Sequence, residues 1–558
     1  MSSLLGLPEE IVLYILALLD PQDVISCQLV CRPLNTLVSA SPRLLFSLAL
    51  DFLGYKLPFV PRSNLGPSAS LKLLREHHSN RRCPSNIQPT QHGLRTHSIS
   101  SKYACSVYAQ AFGIRGLLGT SPTVRDLEFY QIPSKNLDTE FKRWSLENLG
   151  PGIRDFIFDP DQDLLVLLEF PNAAPQHSPI CTIHLRTMSE GKAHPRALVP
   201  AMVATFAEGA GLGGGMPSWN YHFEVMGPLI GILFRARSQK RPSWVVVWDW
   251  VRGIEVTRIS TAGGWHSSFV LLDQQTLLLP SSSRDNLSYT SKFFRNDTIG
   301  SIKVYVFDPK ANTTTPPRLI SSFSLPSLDQ KQVRSTLRLR CTPNVRPVHN
   351  PYSRPKAYES SSEHTLVGID VDLSRFQGSG EVTESAGTLY VPASVFLQIG
   401  CYTQETSMLY SIINKFYWHS APEIPWYKWA CHTSWVNTGD SKAKGDYLMY
   451  GCRMGALSNS VGIMGPASRI CLLDFNQHRL KRRKSKMPPV SNRGVEQHSL
   501  WSVFAGQEAS GDKKYTEATL EVEGGVDIFD EIVLDDEHVI LARKGRLGSG
   551  PSLLVYTF

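Results

Sequence analysis

The stretch DEIVLDDEHVILARK, residues 530–544, consists of a short apolar run, an acidic turn and a second apolar run. Runs of this length, rich in Ile, Val and Leu and bounded by turn residues, predict strands rather than helices. Two other stretches repeat the form: DFIFDPDQDLLVLLEF at 155–170 and SSFVLLDQQTLLLP at 267–280. Each predicts an apolar strand, an acidic turn and a second apolar strand.

Four further stretches have the character of outer strands of the same unit: WVVVWDWVRGIEVTRI (244–259), IKVYVFDP (302–309), RICLLDF (469–475) and SLLVYTF (552–558). The first, WVVVWDW followed by Gly253, is similar to the Trp-Asp ending of a propeller blade. Roughly two dozen such strands, taken four to a blade, predict a large all-β domain that is an irregular six- or seven-bladed β-propeller. A pair of β-sandwiches uses the same short strands, and periodicity alone does not separate the two.

The chain has 558 residues, enough for one large domain and a small one, and a net charge of +8. That charge is too dilute for a dedicated nucleic-acid binder, and no nucleic-acid partner is expected. Ten cysteines occur without a single C-x-x-C pair, which argues against structural zinc and against a disulfide framework. The apolar run Ile11 to Leu19 is too short to span a bilayer and meets Asp20-Pro21 at its end. Glu9 and Glu10 stand where a signal peptide would need basic residues. The expectation is a reducing, intracellular setting, cytoplasmic or nuclear, with no membrane partner. The basic run RLKRRKSK, residues 479–486, fits either a nuclear import signal or a solvated loop.

Motifs that carry chemistry are sparse. Gly209, Gly211 and Gly214 satisfy G-x-G-x-x-G, but Met216-Pro217-Ser218-Trp219 follows in place of a helix, so a glycine-rich loop is expected. There is no G-x-S-x-G elbow, H-E-x-x-H pair or Walker loop. No catalytic residue, cofactor or metal is expected; Cys431, His432 and His419 have poor ligand spacing. The aromatic-rich segment FYWHSAPEIPWYKWACHTSWV, residues 416–436, has two readings. Its rings fill gaps between blades, the favoured reading, or they present a recognition surface in which Trp426, Lys428 and Trp429, with Arg482 from the basic run, touch a protein substrate.

Residues 7–50 predict helices. Pro8 suits a first turn and Glu9 and Glu10 its positive end, Asp20-Pro21 is a stop followed by a start, and Pro33 is expected to break the second helix before a short third one beginning at Leu34. The first helix is apolar on nearly every face, so it must be covered all round. A unit of this size rarely stabilises itself alone, so either the β domain or a separate partner covers it.

Three elements in order, Leu7-Pro8-Glu9-Glu10-Ile11, Leu19-Asp20-Pro21-Gln22-Asp23-Val24 and Val30-Cys31-Arg32, resemble the F-box, the helical module that docks onto the Skp adaptor of cullin–RING ubiquitin ligases. One departure is Leu34, with Pro33 before it, where the family commonly carries Trp; the smaller side chain gives up part of an aromatic contact. The resemblance implies a three-helix F-box at 4–48; composition and strand pattern predict a connecting segment at 49–120 with a flexible polar insertion at 77–101, rich in Ser, Pro and Arg, and a propeller-like domain at 121–558. The resemblance also implies adaptor contacts at Leu7, Pro8, Ile11, Ile15, Leu19, Pro21, Val30 and Cys31. The function implied is that of a non-catalytic substrate receptor in a Skp–cullin–F-box ligase, with an unidentified protein substrate on the β domain. The alternative is a propeller scaffold or ligand-binding protein whose N-terminal helices pack intramolecularly. A propeller enzyme would need a polar or metal-binding cluster at the channel mouth, which the sequence does not display.

Overall fold

The protein is represented by a computed structural model. It describes residues 4–114, 122–150, 152–170, 180–205, 219–236, 243–261, 266–282, 299–311, 316–326, 333–341, 353–377, 380–398, 421–437, 449–458, 469–476, 515–522, 529–543, 545 and 550–558. The Gly209–Gly214 loop, residues 416–420 and the basic run 479–486 with Arg482 lie outside the described residues.

Seven sheets, each built on four antiparallel strands, follow one another along the chain. Blade 1 holds Ser100–Ala104, Val107–Ile114, Thr123–Gln131 and Lys142–Leu146; blade 2 holds Ile153–Asp159, Leu164–Glu169, Ile180–Thr187 and Ala201–Thr205. Blade 3 holds Trp219–Met226, Leu229–Ala236, Ser243–Asp249 and Ile254–Thr261. Blade 4 holds Val270–Leu271, Thr276–Ser282, Gly300–Val306 and Arg318–Ser324, and blade 5 holds Val333–Arg340, Leu366–Gln377, Gly380–Pro392 and Ser434–Asn437. Blade 6 holds Met449–Tyr450, Arg453–Ser458, Arg469–Asp474 and Thr516–Glu521. Blade 7 holds Glu531–Leu534, His538–Arg543 and Ser552–Thr557, and its fourth strand comes from far upstream: Thr90–Gly93 pairs with Val555 to Ser552.

First strands touch between blades 1 and 2, 2 and 3, 3 and 4, and 6 and 7, which places the first strands around the axis and the fourth strands at the rim. An apolar core fills every junction. Phe156 and Phe129 lie between blades 1 and 2, Phe234 and Trp248 between 2 and 3, Val247 and Phe269 between 3 and 4, and Phe323 and Val391 between 4 and 5. Tyr390 and Met454 fill the next, Leu472 and Leu541 the one after, and Tyr108, Tyr130, Val533 and Ile540 close the ring between blades 7 and 1. The fold is a seven-bladed β-propeller, and the sandwich alternative is excluded. The three strand–acidic turn–strand stretches are the two axial strands of blades 2, 4 and 7.

The helical region runs ahead of the ring as α1 (Glu9–Ala17), α2 (Pro21–Val30), α3 (Arg32–Ala40), α4 (Pro42–Leu53) and α5 (Pro67–Arg82). Proline sits in the first turn of each of α2 to α5, where its missing N–H costs no hydrogen bond. Pro33 therefore starts a helix rather than merely ending one. Single extended residues, Cys31 and Ser41, join α2 to α3 and α3 to α4, and Ser41 Oγ accepts from the Leu44 amide.

Three boundaries differ from the sequence reading. α4 is a helix beyond the three expected. The polar stretch 77–101 is no flexible insertion, because α5 runs into it and the strands Thr90–Gly93 and Ser100–Ala104 complete blade 7 and open blade 1. α5 escaped notice because only a narrow stripe, Ser70, Leu71, Leu74 and His77, is buried, while most of the remaining residues are polar. The β domain accordingly begins well before residue 121. Among the described residues no single helix is long and apolar enough to cross a membrane.

Ring closure carries one charged group whose state follows from geometry. His538 is fully buried in blade 7, with Nδ1 3.0 Å from both carboxylate oxygens of Asp535 and Nε2 2.8 Å from the Pro133 carbonyl of blade 1. Both partners are acceptors, so both ring nitrogens carry hydrogens and the ring is an imidazolium. Burial opposes the charge, but Asp535 raises the pKa from 6.5 to about 9. The stabilisation is thus fully present below pH 6.5 and is lost as pH rises through about 9. We predict that His538→Gln removes on the order of 3 kcal/mol at pH 6 and almost nothing at pH 10, read as the gap between urea denaturation curves of the two proteins.

Candidate docking face and the seat of the helical module

Helix α1 is split lengthwise. Val12 and Leu16 point inward and join Val24 of α2, Leu34 and Val38 of α3 and Leu44 of α4 in a small core belonging to the module itself. On the other side Ile11, Tyr14 and Leu18 recur at i, i+3 and i+7 and are exposed, Leu18 at 70%, with Leu7 exposed just ahead of the helix. Ile25, Leu29 and Val30 of α2 extend the exposed set, Leu29 at 84% and Val30 at 74%. The apolar character on every face seen in the sequence therefore resolves into an inner stripe that holds the module together and an outer one that the β domain does not cover.

Of the residues named as adaptor contacts, Leu7, Pro8, Ile11, Leu19 and Val30 are exposed, while Ile15, Pro21 and Cys31 are half-buried. Cys31 packs against the module's own core. Leu34, the position where Trp is common, is buried in that same core, so its smaller volume bears on the module's packing. Sequence reasoning missed Tyr14, Leu18, Ile25 and Leu29; the 11/14/18 spacing was the signal that would have found the first two.

The other face of α4 anchors the module. Phe46, Leu50 and Leu53 pack with Tyr55, with Leu71 and Leu74 of α5, and with Ala357 and Tyr358 from the connection between the first two strands of blade 5. Gly54, at φ +79°, caps α4 in the left-handed region, and a Cβ there would lie 2.9 Å from Asn476 Nδ2, so only glycine turns the chain into Tyr55 at this point.

Below Tyr55 lies a buried polar cluster. The Tyr55 hydroxyl donates to Asp536 (2.9 Å), accepts from Arg453 (2.6 Å) and meets His77 Nε2 at 2.8 Å. Arg453 of blade 6 also pairs with Asp536 at 3.1 Å, and Arg81 of α5 donates to the Asp536 carbonyl at 2.8 Å. Burial and the neighbouring Arg81 and Arg453 cations push the His77 pKa well below its usual value, so His77 is neutral. Burial also pushes the Tyr55 hydroxyl up, which keeps it a donor to Asp536. Tyr55 and blade 6 thus meet at the Asp536 carboxylate of blade 7, and α5 at the backbone carbonyl of the same residue.

The aromatic segment has a structural role. Glu423–Ile424 adds a fifth, parallel strand to the rim of blade 4. Trp426–Trp429 then folds as one helical turn whose Trp426 and Trp429 enter the core between blades 4 and 5. Trp429 is 0% exposed and its Nε1 donates to the Ser324 carbonyl at 3.1 Å. This corrects the assignment of Trp426 and Trp429 as substrate contacts: both rings are spent on packing. Lys428 is half-buried and Tyr427, its neighbour, is 69% exposed. Among the described residues no group of three or more His, Cys, Asp or Glu side chains is placed to hold a metal ion.

Residues 4–50 match the F-box-like family. The protein is thus an F-box-like domain followed by a seven-bladed propeller. No curated protein matches the chain. Among solved structures it is similar to the C-terminal WD40 domain of Sif2, at 8% identity over 84% of this chain and 98% of that one, with a TM-score of 0.32. It is also similar to the uncharacterized protein lmo1340 from Listeria monocytogenes EGD-e, at 12% identity over 54% of this chain and 70% of that one, with a TM-score of 0.24. The blade count rests on strand pairing and not on these likenesses.

Replacing Trp429 with Ala should cost about 3–5 kcal/mol of stability, whereas Tyr427→Ala should change it by less than about 0.5 kcal/mol. Equilibrium denaturation of the two variants checks the assignment of one ring to the core and the other to solvent.

Proposed function

We propose that this protein is a substrate receptor of a Skp–cullin–F-box ubiquitin ligase. The outer stripe of α1 and α2 binds the Skp adaptor, and the propeller holds a protein substrate for modification by other subunits. The observation that supports this most is the exposed row Leu7, Ile11, Tyr14 and Leu18 with Leu29 and Val30 beside it, on a domain matching the F-box-like family. An uncovered apolar row of this kind is a docking surface rather than a core. On this reading the chain supplies no catalytic group; its contribution is proximity, acting in the cytoplasm or the nucleus.

A scaffold reading, in which the helices serve only to pack on the ring, draws on α4 and α5, whose inner faces are buried against blade 5. It leaves the outer row of α1 and α2 without a purpose.

The test is binding of the intact protein to the purified Skp adaptor by calorimetry or pull-down. Ile11→Asp and Val30→Asp should each weaken it at least about tenfold. Lys72→Glu, an exposed change on α5, should leave it unaltered. Retention of full affinity by both aspartate variants would remove the interface assignment, and failure of the unaltered chain to bind would remove the receptor reading.

A further inference from the structure

In a ring of seven, blade 5 lies opposite blades 1 and 2. Residues 353–360, between the first two strands of blade 5, nevertheless bond to both. Arg354 Nε and Lys356 Nζ reach Asp161, in the first turn of blade 2, at 2.9 and 2.7 Å. Arg354 also donates to the Cys105 carbonyl in the first turn of blade 1 at 2.8 Å. Asn136 of blade 1 holds the backbone of the segment from the same side, accepting from the Ala357 and Tyr358 amides at 2.8 and 3.1 Å and donating to the Tyr358 carbonyl at 3.0 Å. The segment is therefore a strap laid across the axis, over one mouth of the channel.

The strap's outer side carries the helical module. Tyr55 and Lys56 pair with Ser360 and Glu359, and Pro61 bridges Lys356. The Lys356 amide donates to the Val60 carbonyl and the Arg62 amide to the Lys356 carbonyl, each at 3.1 Å. The Tyr358 ring lies 4.8 Å from that of Tyr55. One layer of chain thus has the ring beneath it and the module's linker above it. Both of its ion pairs to the far blades meet at one carboxylate: burial pushes the Asp161 pKa up, but Lys356 and Arg354 beside it bring it below the usual range. On the linker side the accounting is weaker, since the Tyr358 hydroxyl is buried without a hydrogen-bond partner among the described residues.

We propose that residues 353–360 act as a latch whose release opens the channel mouth on the helical side and unseats residues 55–62 in a single event. Position of the helical module and access to the channel are then one equilibrium, so that anything binding through this mouth loosens the module, and anything fixing the module keeps the mouth shut. The inference stands independently of the adaptor reading, because it uses only contacts within this chain.

Cys105 reports the opening. Cys105 is half-buried beside the strap, with Arg354 donating to its carbonyl, and its thiol is pushed up to about 12 by burial and the neighbouring Asp161. In the full-length protein, alkylation of Cys105 by N-ethylmaleimide at neutral pH, followed by peptide mass spectrometry, should be slow. Asp161→Asn, and separately Arg354→Gln with Lys356→Met, should each speed it at least about tenfold and raise hydrogen exchange at residues 55–62 by a similar factor. Exchange in the axial strands of blades 3 and 4 should stay unaltered. Cys105 remaining protected in both variants would overturn the latch. So would labelling without faster exchange at 55–62, or a uniform rise across the whole ring.

Discussion

At the turn Asp535-Asp536-Glu537-His538 four consecutive charged or ionisable side chains are buried, three of them bound to blade 1 and Asp536 to Tyr55 and blade 6. Asp535 and His538 form an ion pair that also takes Tyr103, Ser106 and the Pro133 carbonyl of blade 1. Asp536 takes Tyr55, Arg453 and Arg81. Glu537 accepts from Ser134 and from the Asn136 amide, and Asn136 in turn holds the strap of blade 5. Burying this much charge is costly unless every group is partnered, and here the partners are the elements that must be brought together. The turn is therefore the place where ring closure, the helical module and the strap are all enforced.

The consequence is a division of labour between apolar and polar contacts. Apolar junctions between blades are alike, and any of them would tolerate some slippage. Hydrogen-bonded charges tolerate far less, because a misplaced carboxylate loses its partners and remains buried. Blade 7 is the one assembled from two distant stretches of chain, so it is the blade that most needs such discrimination. The N-terminal module shows the same economy: Val12, Leu16, Val24 and Val38 make it a unit, and Tyr55 with its polar partners aims it.

What the sequence revealed depended on how many faces of an element are buried. The axial strands of blades 2, 4 and 7 are covered on both sides, so their apolar runs are continuous and stood out. Helix α5 buries little more than Leu71, Leu74 and His77, and its polar majority read as a linker. The three-part resemblance disclosed the F-box, but which of Ile11, Val12, Ile15 and Leu16 face outward depends on where α3 and α4 lie. The acidic residues of the turns read as solvent-facing punctuation; nothing in DDEH separates four exposed charges from four buried ones, because the partners lie hundreds of residues away. Of the two readings of the aromatic cluster, the filling one holds at Trp426 and Trp429 and the contact one does not, since a ring's residue type does not state which side of the sheet it occupies.

The pairing of Thr90 with Val555 also has a meaning in time. During synthesis the strand Thr90–Gly93 emerges early and must wait, its hydrogen-bonding edge unsatisfied, until residue 555 has been made. Bringing together positions so far apart carries the loop-closure entropy of nearly the whole chain, although that cost grows only logarithmically with length. Non-local pairing of this kind makes folding slow and leaves strand edges open to wrong partners in the interval. The F-box-like module, whose contacts in α1 to α3 are local, can form long before the ring closes, so the exposed apolar row of the module and the closed ring come into existence at different moments.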